Sequence, residues 1–328
     1  MAASVNATFV SPTSIRVDAS AACQLSCPLC PIGQNNHNIP TVGSGMLKFE
    51  NFKKLIDRYP QIRQVELANS GEALLNKELP QILRYAYEHG VETILDKGVN
   101  LNHASDETLE ALVKYQTLRV RCAIDGTTKE TYAKYRIGGD LQQVLENVKK
   151  INAFKRQYQS TKPALIWQFV VFNHNEHQVE QVFVMAKMLR MKVHIRLNVN
   201  PDVMPVSDPE KLRKYTNYTS RHDYAEREGR DYCWNQCYHL FTDPQINWDG
   251  RLLGCGRNYW GSFADNVFEE DLMEAINNEK MQYARQMIMG QQPAREDIPC
   301  SQCQSYLTMQ KSGNWIRLEE VSLAEEPM

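Results

Sequence analysis

Residues 23–30 constrain the fold and the chemistry of this chain more than any other segment. They read Cys-Gln-Leu-Ser-Cys-Pro-Leu-Cys, so three cysteines are separated by three and then two residues. They follow residues 15–19, whose alternation predicts a short strand, which places the cysteines on the loop that leaves it. Three thiolates leave one iron of a four-iron cluster open for a substrate or cofactor. The alternatives are a zinc site, for which His37 is the other nearby candidate ligand, and three unrelated buried thiols.

Strand-like and helix-like segments alternate over the first two thirds of the chain. We predict strands at 15–19, 65–68, 93–95, 118–124, 165–172 and 193–199, and helices at 49–59, 79–89, 106–114, 128–135, 141–158 and 179–189. Such alternation predicts a parallel sheet with covering helices. Eight strand–helix steps would close a barrel, so six indicate a partial (β/α)6 parallel barrel. An open doubly wound sheet is the alternative.

A proline-rich and then charged stretch follows the last of these strands. Pro201, Pro205 and Pro209 precede the charged residues 211–230, which we interpret as a linker with a surface helix. We therefore predict a barrel domain at residues 1–228 and a smaller domain at residues 229–328. Five of the nine cysteines lie in the second of these ranges.

The composition excludes several classes of protein. The formal net charge is −2, so no basic excess indicates binding to nucleic acid. We find neither a secretory signal nor an apolar run near the roughly 18 residues of a membrane span, and we expect a cytoplasmic protein. An odd number of cysteines in such a protein favours metal or redox chemistry over a disulfide framework.

Four cysteines of the smaller domain form a second signal. Cys237 and Cys255 flank an Asp-Gly pair typical of a tight hairpin, which would bring the two thiols to one end of the ribbon. Cys300 and Cys303 form a Cys-x2-Cys pair. Four thiolates can saturate a four-iron cluster, and a structural zinc site on the same residues is the alternative.

The first cysteine segment resembles the Cys-x3-Cys-x2-Cys signature of the radical S-adenosylmethionine (SAM) superfamily. In that family SAM occupies the open iron, and an electron from the cluster cleaves it to a 5′-deoxyadenosyl radical that abstracts hydrogen from a substrate. The resemblance implies a SAM-binding [4Fe-4S] cluster on Cys23, Cys27 and Cys30, with Leu29 beside SAM in place of the usual aromatic residue. It also implies a flavodoxin- or ferredoxin-type electron donor.

Later segments resemble the SAM-binding segments of the same family. A Ser-Gly-Glu segment after the second strand resembles Gly-Gly-Glu-Pro, which implies that Gly71 and Glu72 bind the SAM amino group. An Asp-Gly run after the fourth strand implies a SAM contact for Arg136, with a salt-bridged surface arginine as the alternative. Asn173 would lie near SAM or cap the next helix, and Lys97 stands where relatives often have asparagine.

The C-terminal cysteines resemble a twitch domain, the shortened form of the SPASM domain. Its pattern is Cys-x(9–15)-Gly-x4-Cys followed by Cys-x2-Cys, and twelve residues separate Cys237 from Gly250 and four separate Gly250 from Cys255. The resemblance implies an auxiliary [4Fe-4S] cluster on Cys237, Cys255, Cys300 and Cys303. The arrangement is particularly similar to that of the butirosin-pathway dehydrogenase that acts on an amino-inositol.

Two enzyme classes and one other class fit these features. The first is oxidation or epimerisation of a sugar or aminocyclitol alcohol, and the second is modification of a peptide, in ribosomal peptide maturation or sulfatase activation. About a dozen residues precede the first strand, so we expect no leader-peptide-binding domain there, which disfavours a peptide substrate. The third is a non-catalytic metal-binding module. In an epimerase, Cys233 or Cys122 could donate hydrogen; otherwise Cys233 is an additional cluster ligand or buried, and Cys122 belongs to the core.

Overall fold

The computed structural model describes residues 8–34 and 39–324 of the chain. Its centre is one eight-stranded sheet, composed of β1 (Ser14–Val17), β2 (Gln64–Glu66), β3 (Glu92–Val99), β4 (Arg119–Ala123), β5 (Ala164–Val170), β6 (Lys192–Arg196), β7 (Gln245–Ile246) and β8 (Leu252–Gly254). The strand order is β6-β5-β4-β3-β2-β1-β7-β8, and neighbours from β1 to β6 are parallel. A doubly wound sheet reverses its strand order near the middle, so that alternative is wrong and the partial (β/α)6 barrel is confirmed.

Helices connect the parallel strands and continue into the C-terminal part. They are α1 (Pro31–Gln34), α2 (Phe49–Arg58), α3 (Leu79–Glu88), α4 (Asp106–Lys114), α5 (Lys129–Tyr135), α6 (Leu141–Gln157), α7 (Val179–Met188), α8 (Pro209–Thr216), α9 (Arg221–Glu228), α10 (Leu272–Ala275), α11 (Glu279–Ile288), α12 (Gln304–Ser312) and α13 (Leu318–Ala324). Short 3-10 helices lie at Ala73–Leu75, Glu176–Gln178, Trp234–Leu240 and Pro299–Gln302. Within the described ranges, no helix is long and apolar enough to cross a membrane.

The helices of the barrel form where apolar spacing and capping agree. In α2, the buried side chains of Phe52, Leu55 and Ile56 recur at helical spacing and face the sheet. The side chain of Ser105 accepts a hydrogen bond from a backbone amide at the start of α4, and Thr128 does so for α5. Consecutive helices pack on one another in the order α2, α3, α4 and α6, as expected when each crossover has the same hand.

The predicted hairpin around Gly250 is present, but it continues the sheet of the barrel. Gly250 adopts φ +96°, and β7 and β8 are antiparallel. On its other side β7 pairs in parallel with β1, opposite Arg16. Buried Arg16 forms an ion pair with Asp243, just before β7, at 2.8 Å, and with Glu66 of β2 at 3.6 Å. The ranges predicted as two domains are therefore joined through one sheet.

The C-terminal part is tied to the barrel by a fully buried arginine. The guanidinium of Arg285 in α11 donates hydrogen bonds to the carbonyls of Leu240 at 2.7 Å, Ile276 at 2.7 Å and Thr8 at 2.8 Å. No carboxylate in the described part of the chain forms an ion pair with it, and burial lowers the pKa of Arg285 to about 9. Three carbonyls from separate segments thus depend on one side chain.

Replacing Arg285 by methionine is expected to lower the free energy of unfolding by about 3 kcal/mol, because buried carbonyls would lose their donors. Urea unfolding monitored by circular dichroism measures this change. The control is Arg84→Met on the exposed face of α3, where Arg84 lies 3.9 Å from Glu88. A loss below about 1 kcal/mol, the median for exposed ion pairs, would contradict this account of Arg285.

Candidate functional site

A cavity of about 590 Å³ lies at the carboxyl ends of the parallel strands, where ligands bind in barrels of this kind. All three cysteines of residues 23–30 line it, together with Leu29 of the same loop. The loop after β2, the end of β3 and the last residues of β4, β5 and β6 complete the wall. Residues that are distant in the sequence thus line the same cavity.

The three thiols are close to one another and reduced. No disulfide involves Cys23, Cys27 or Cys30. Burial, together with the neighbouring Glu72, Cys27 and Cys30, raises the pKa of the Cys23 thiol to about 12. Burial also raises the pKa of Cys27, against the opposing effect of Arg136. Three thiols on one short loop form a donor set suited to a metal cluster, whose positive charge favours their thiolate forms.

The glycine after β2 is required by close packing against the loop between β1 and the cysteines. Gly71 adopts φ +59°, and an added Cβ would lie 2.5 Å from the backbone carbon of Ala21. The next amide, that of Glu72, donates a 2.7 Å hydrogen bond to the carbonyl of Ala22. Only glycine permits this approach, which brings Glu72 to the cavity wall directly beside the cysteine loop.

Glu72 is buried and connects three segments of the site. Its carboxylate accepts hydrogen bonds from the amide of Asn100 at 2.5 Å and the amide of Leu74 at 3.3 Å. Burial raises the pKa of Glu72 to about 7, against the opposing effects of these hydrogen bonds and of Arg136. The side-chain amide of Asn100 lies 3.8 Å from the sulfur of Cys23. Glu72 therefore positions the residue that contacts the first cysteine.

Arg136 is salt-bridged, as the alternative interpretation had it, but it is not on the surface. It forms a buried ion pair with Asp125 at 2.6 Å. Its Nη1 donates to the sulfur of Cys27 at 3.7 Å, and its side chain lines the cavity. Asp125 also accepts a 2.7 Å hydrogen bond from the amide of Val170, which fixes the ion pair to the end of β5.

The remaining predicted residues fall in different places. Asn173 is exposed and is not among the residues of the cavity wall, and the buried asparagine of this segment is Asn175. Cys122 is fully buried in the main hydrophobic core, outside the cavity wall, in agreement with its interpretation as a core residue. Cys233 lines the cavity, and its sulfur accepts from Nη1 of Arg221 at 3.5 Å.

A second, mostly apolar cavity is lined by all four cysteines of the predicted auxiliary set, which are Cys237, Cys255, Cys300 and Cys303. None of them forms a disulfide. Burial, together with the neighbouring Cys303, raises the pKa of Cys255 to about 11. Burial also raises the pKa of Cys237 well above its ordinary value. Trp260 lines both cavities, so the two cavities adjoin.

The spacing of these side chains bears on the zinc alternatives. Within the described ranges, no three cysteine, histidine, aspartate or glutamate side chains lie close enough to hold one metal ion. A zinc site needs four ligands, with thiolates about 2.3 Å from a single centre. His37, the further candidate ligand of the zinc alternative at the first set, lies outside the described residues.

Sequence reasoning missed several residues of the cavity wall. Predicted β3 ended at residue 95, whereas the strand runs to Val99, so Lys97 lies within it and Asn100 directly follows it, both in the cavity wall. Arg196 and Arg221 were also missed. The Asn-Leu-Asn sequence at 100–102 was the available local signal, and both of its asparagines are buried.

Comparison with solved structures identifies the fold. No protein-family model and no curated protein sequence matches the chain. Streptococcus suis SuiB bound to the precursor peptide SuiA aligns with 92% of this chain and 71% of its own at TM-score 0.63 and 13% identity. SuiB bound to S-adenosylmethionine aligns with 92% of this chain and 70% of its own, at TM-score 0.61 and 14% identity.

BtrN in complex with AdoMet and 2-DOIA gives a further match, which includes the C-terminal part. It aligns with 90% of this chain and 94% of its own, at TM-score 0.51 and 14% identity. Both matched proteins have the radical SAM fold, and each alignment covers at least 90% of this chain. This chain therefore has the radical SAM fold.

Proposed function

We propose that this protein is a radical SAM enzyme with two four-iron clusters. The observation that carries the proposal is the division of seven reduced cysteines into three that line a large cavity and four that line the neighbouring apolar cavity. When bound, a cluster on the first set with SAM at its open iron would supply the electron that cleaves SAM and starts hydrogen abstraction, and the second cluster would accept or relay electrons.

The residues of the chain have distinct tasks in this proposal. Cys23, Cys27 and Cys30 would hold the first cluster, while the carboxylate of Glu72 faces the cavity and would accept from the ammonium of SAM. Arg136 places a positive charge beside Cys27 and thereby favours its thiolate form.

Oxidation or epimerisation of a sugar or aminocyclitol alcohol is our preferred reaction. The four-cysteine cavity next to the active site supports oxidation, because an alcohol that loses a hydrogen atom must still give up one electron to become a ketone. Similarity to BtrN in complex with 2-DOIA agrees with a small substrate, whereas similarity to SuiB bound to SuiA keeps peptide modification as the second candidate.

Reductive cleavage of SAM tests the proposal against a non-catalytic metal-binding module. Anaerobically reconstituted protein with dithionite as the electron source should convert SAM to methionine and 5′-deoxyadenosine, measured by liquid chromatography. Reconstituted protein that holds iron but leaves SAM intact would exclude the enzyme and support the binding module. A flavodoxin or ferredoxin would replace dithionite in the cell.

Replacing Glu72 by glutamine is expected to weaken SAM binding about tenfold, because a neutral amide makes a weaker hydrogen bond to an ammonium than a carboxylate does. Isothermal titration of the reconstituted protein with SAM measures the affinity, and iron content establishes that both clusters are intact. Glu88→Gln on the exposed end of α3 is the matched control. Unchanged affinity with full iron would remove Glu72 from the SAM site.

A further inference from the structure

Three cations in the wall of the large cavity have no carboxylate partner. Lys97 lies within β3, Arg196 is the last residue of β6, and Arg221 is the first residue of α9. No aspartate or glutamate in the described part of the chain lies within 4 Å of their charged nitrogens. Each of these three side chains is only partly exposed. Water therefore solvates its charge incompletely and does not fully replace a carboxylate partner.

Their remaining contacts are to neutral groups. Arg196 donates to the side-chain oxygen of Gln168 at 3.2 Å. Arg221 donates to the carbonyl of Leu197 at 3.3 Å and to the sulfur of Cys233 at 3.5 Å. None of these acceptors is a carboxylate. The positive charges of Arg196 and Arg221 therefore have no carboxylate beside them within the described residues.

Arg196 repels each of the other two cations. Burial, together with Arg16 and Arg196, lowers the pKa of Lys97 to about 7 against the attraction of Glu66 and Asp243. Both of those carboxylates already pair with Arg16. Burial likewise lowers the pKa of Arg221, and Arg196 adds to that effect. Arg196 therefore lies close enough to each of the other two cations to disfavour its charge.

Two other arginines in the same wall are each paired with a carboxylate. Arg136 is paired with Asp125, and Arg257 is paired with Asp231 and contacts the hydroxyl of Ser305. The cavity wall contains one carboxylate, that of Glu72, among its described residues. The excess positive charge is thus confined to the part of the wall formed by Lys97, Arg196 and Arg221, which we name the cation group.

We propose that the cation group binds an anionic group of the substrate, a phosphate or a carboxylate. Two guanidinium groups and an ammonium match either anion, since guanidinium donors fit both geometries. Burial of unpaired charge is unfavourable, so an anion that pairs with these residues would stabilise the site. The inference rests on the proposed function for the statement that this anion belongs to the substrate.

This assignment changes the expected substrate class. A free aminocyclitol carries ammonium groups, which the cation group would repel. A phosphorylated sugar, a sugar acid or a cyclitol carrying a phosphate would instead be attracted, with its reacting carbon held between the cation group and the cysteine loop. The contact between Arg221 and Cys233 places the thiol at the same end of the cavity.

Simple anions test the proposal without knowledge of the substrate. Reconstituted, SAM-loaded protein is titrated calorimetrically at low ionic strength with inorganic phosphate, malonate and neutral glycerol. We expect phosphate or malonate to bind and glycerol not to bind. The anion with the higher affinity indicates whether the substrate carries a phosphate or a carboxylate. Arg196→Gln and Arg221→Gln should each weaken binding about tenfold or more, while Arg196→Lys, which keeps the charge, should weaken it less.

Matched controls separate this site from a structural effect. Arg227 lies on the exposed face of α9, so the Arg227→Gln variant should bind the anions as the wild type does. Iron content and SAM affinity should be unchanged in every variant. The proposal is overturned if the wild type binds neither anion, or if Arg196→Gln and Arg221→Gln both bind as the wild type does. SAM cleavage on the same samples is scored separately, so failure of the proposed function is distinguishable from failure of this site.

Discussion

A variant with Cys23, Cys27 and Cys30 all replaced by alanine is expected to lose reductive cleavage of SAM completely. The wild type should hold about eight irons per chain, as two four-iron clusters, and the variant should hold about four. The physical reason is that the two cysteine sets line different cavities, so loss of the first leaves the four thiols of the second in place. Iron and sulfide analysis after anaerobic reconstitution measures both numbers.

Cys233→Ala is the matched control for this variant. Cys233 lines the large cavity but is not one of the three cysteines of the loop, so its replacement should leave about eight irons. A loss of about four irons in Cys233→Ala would make it a cluster ligand and contradict the proposed ligand set. Wild-type protein that retains zinc and never approaches stoichiometric iron would contradict the scheme as a whole.

Replacing Cys255 and Cys300 by alanine is expected to abolish oxidation of the substrate while SAM cleavage continues. An alcohol becomes a ketone by losing two hydrogens, and the second electron needs an acceptor near the site. Both cysteines line the apolar cavity and neither lines the large one, so their removal leaves the first cysteine set intact. Mass spectrometry of substrate and 5′-deoxyadenosine from the same reaction measures the ratio of the two products.

Reaction in heavy water decides between oxidation and epimerisation. Oxidation introduces no solvent deuterium at the reacting carbon. Epimerisation needs a thiol donor, and Cys233 faces the cavity whereas Cys122 is buried in the core. One non-exchangeable deuterium in the product, lost in Cys233→Ala, would therefore replace the dehydrogenase interpretation by an epimerase in which Cys233 is the donor.

The sequence is informative where chemistry depends on local spacing. The three cysteines of residues 23–30 and the hairpin with Gly250 are encoded within short segments, and the structure contains both arrangements. The alternation of strands and helices is likewise local, because each element has its own apolar periodicity and caps. Six strands and the intervening helices could therefore be predicted to within a few residues.

Contacts between distant segments could not be predicted in the same way. Lys97, Arg196 and Arg221 come from β3, β6 and α9, and each alone has the sequence appearance of an ordinary surface cation. Their lack of carboxylate partners is a property of the folded cavity. The bond from Asn100 to Glu72 was missed because β3 extends further than its apolar residues indicate.

Pairing of β7 with β1 has a consequence for how this protein can be divided. A fragment that ends near residue 228 would leave β1 as an open edge, and open edges promote aggregation by pairing with other chains. It would also remove Asp243 and leave buried Arg16 with Glu66 alone. The C-terminal hairpin thus covers the edge strand β1 of the barrel and also leads into Cys255. Neither the barrel nor the C-terminal part is therefore an interchangeable module.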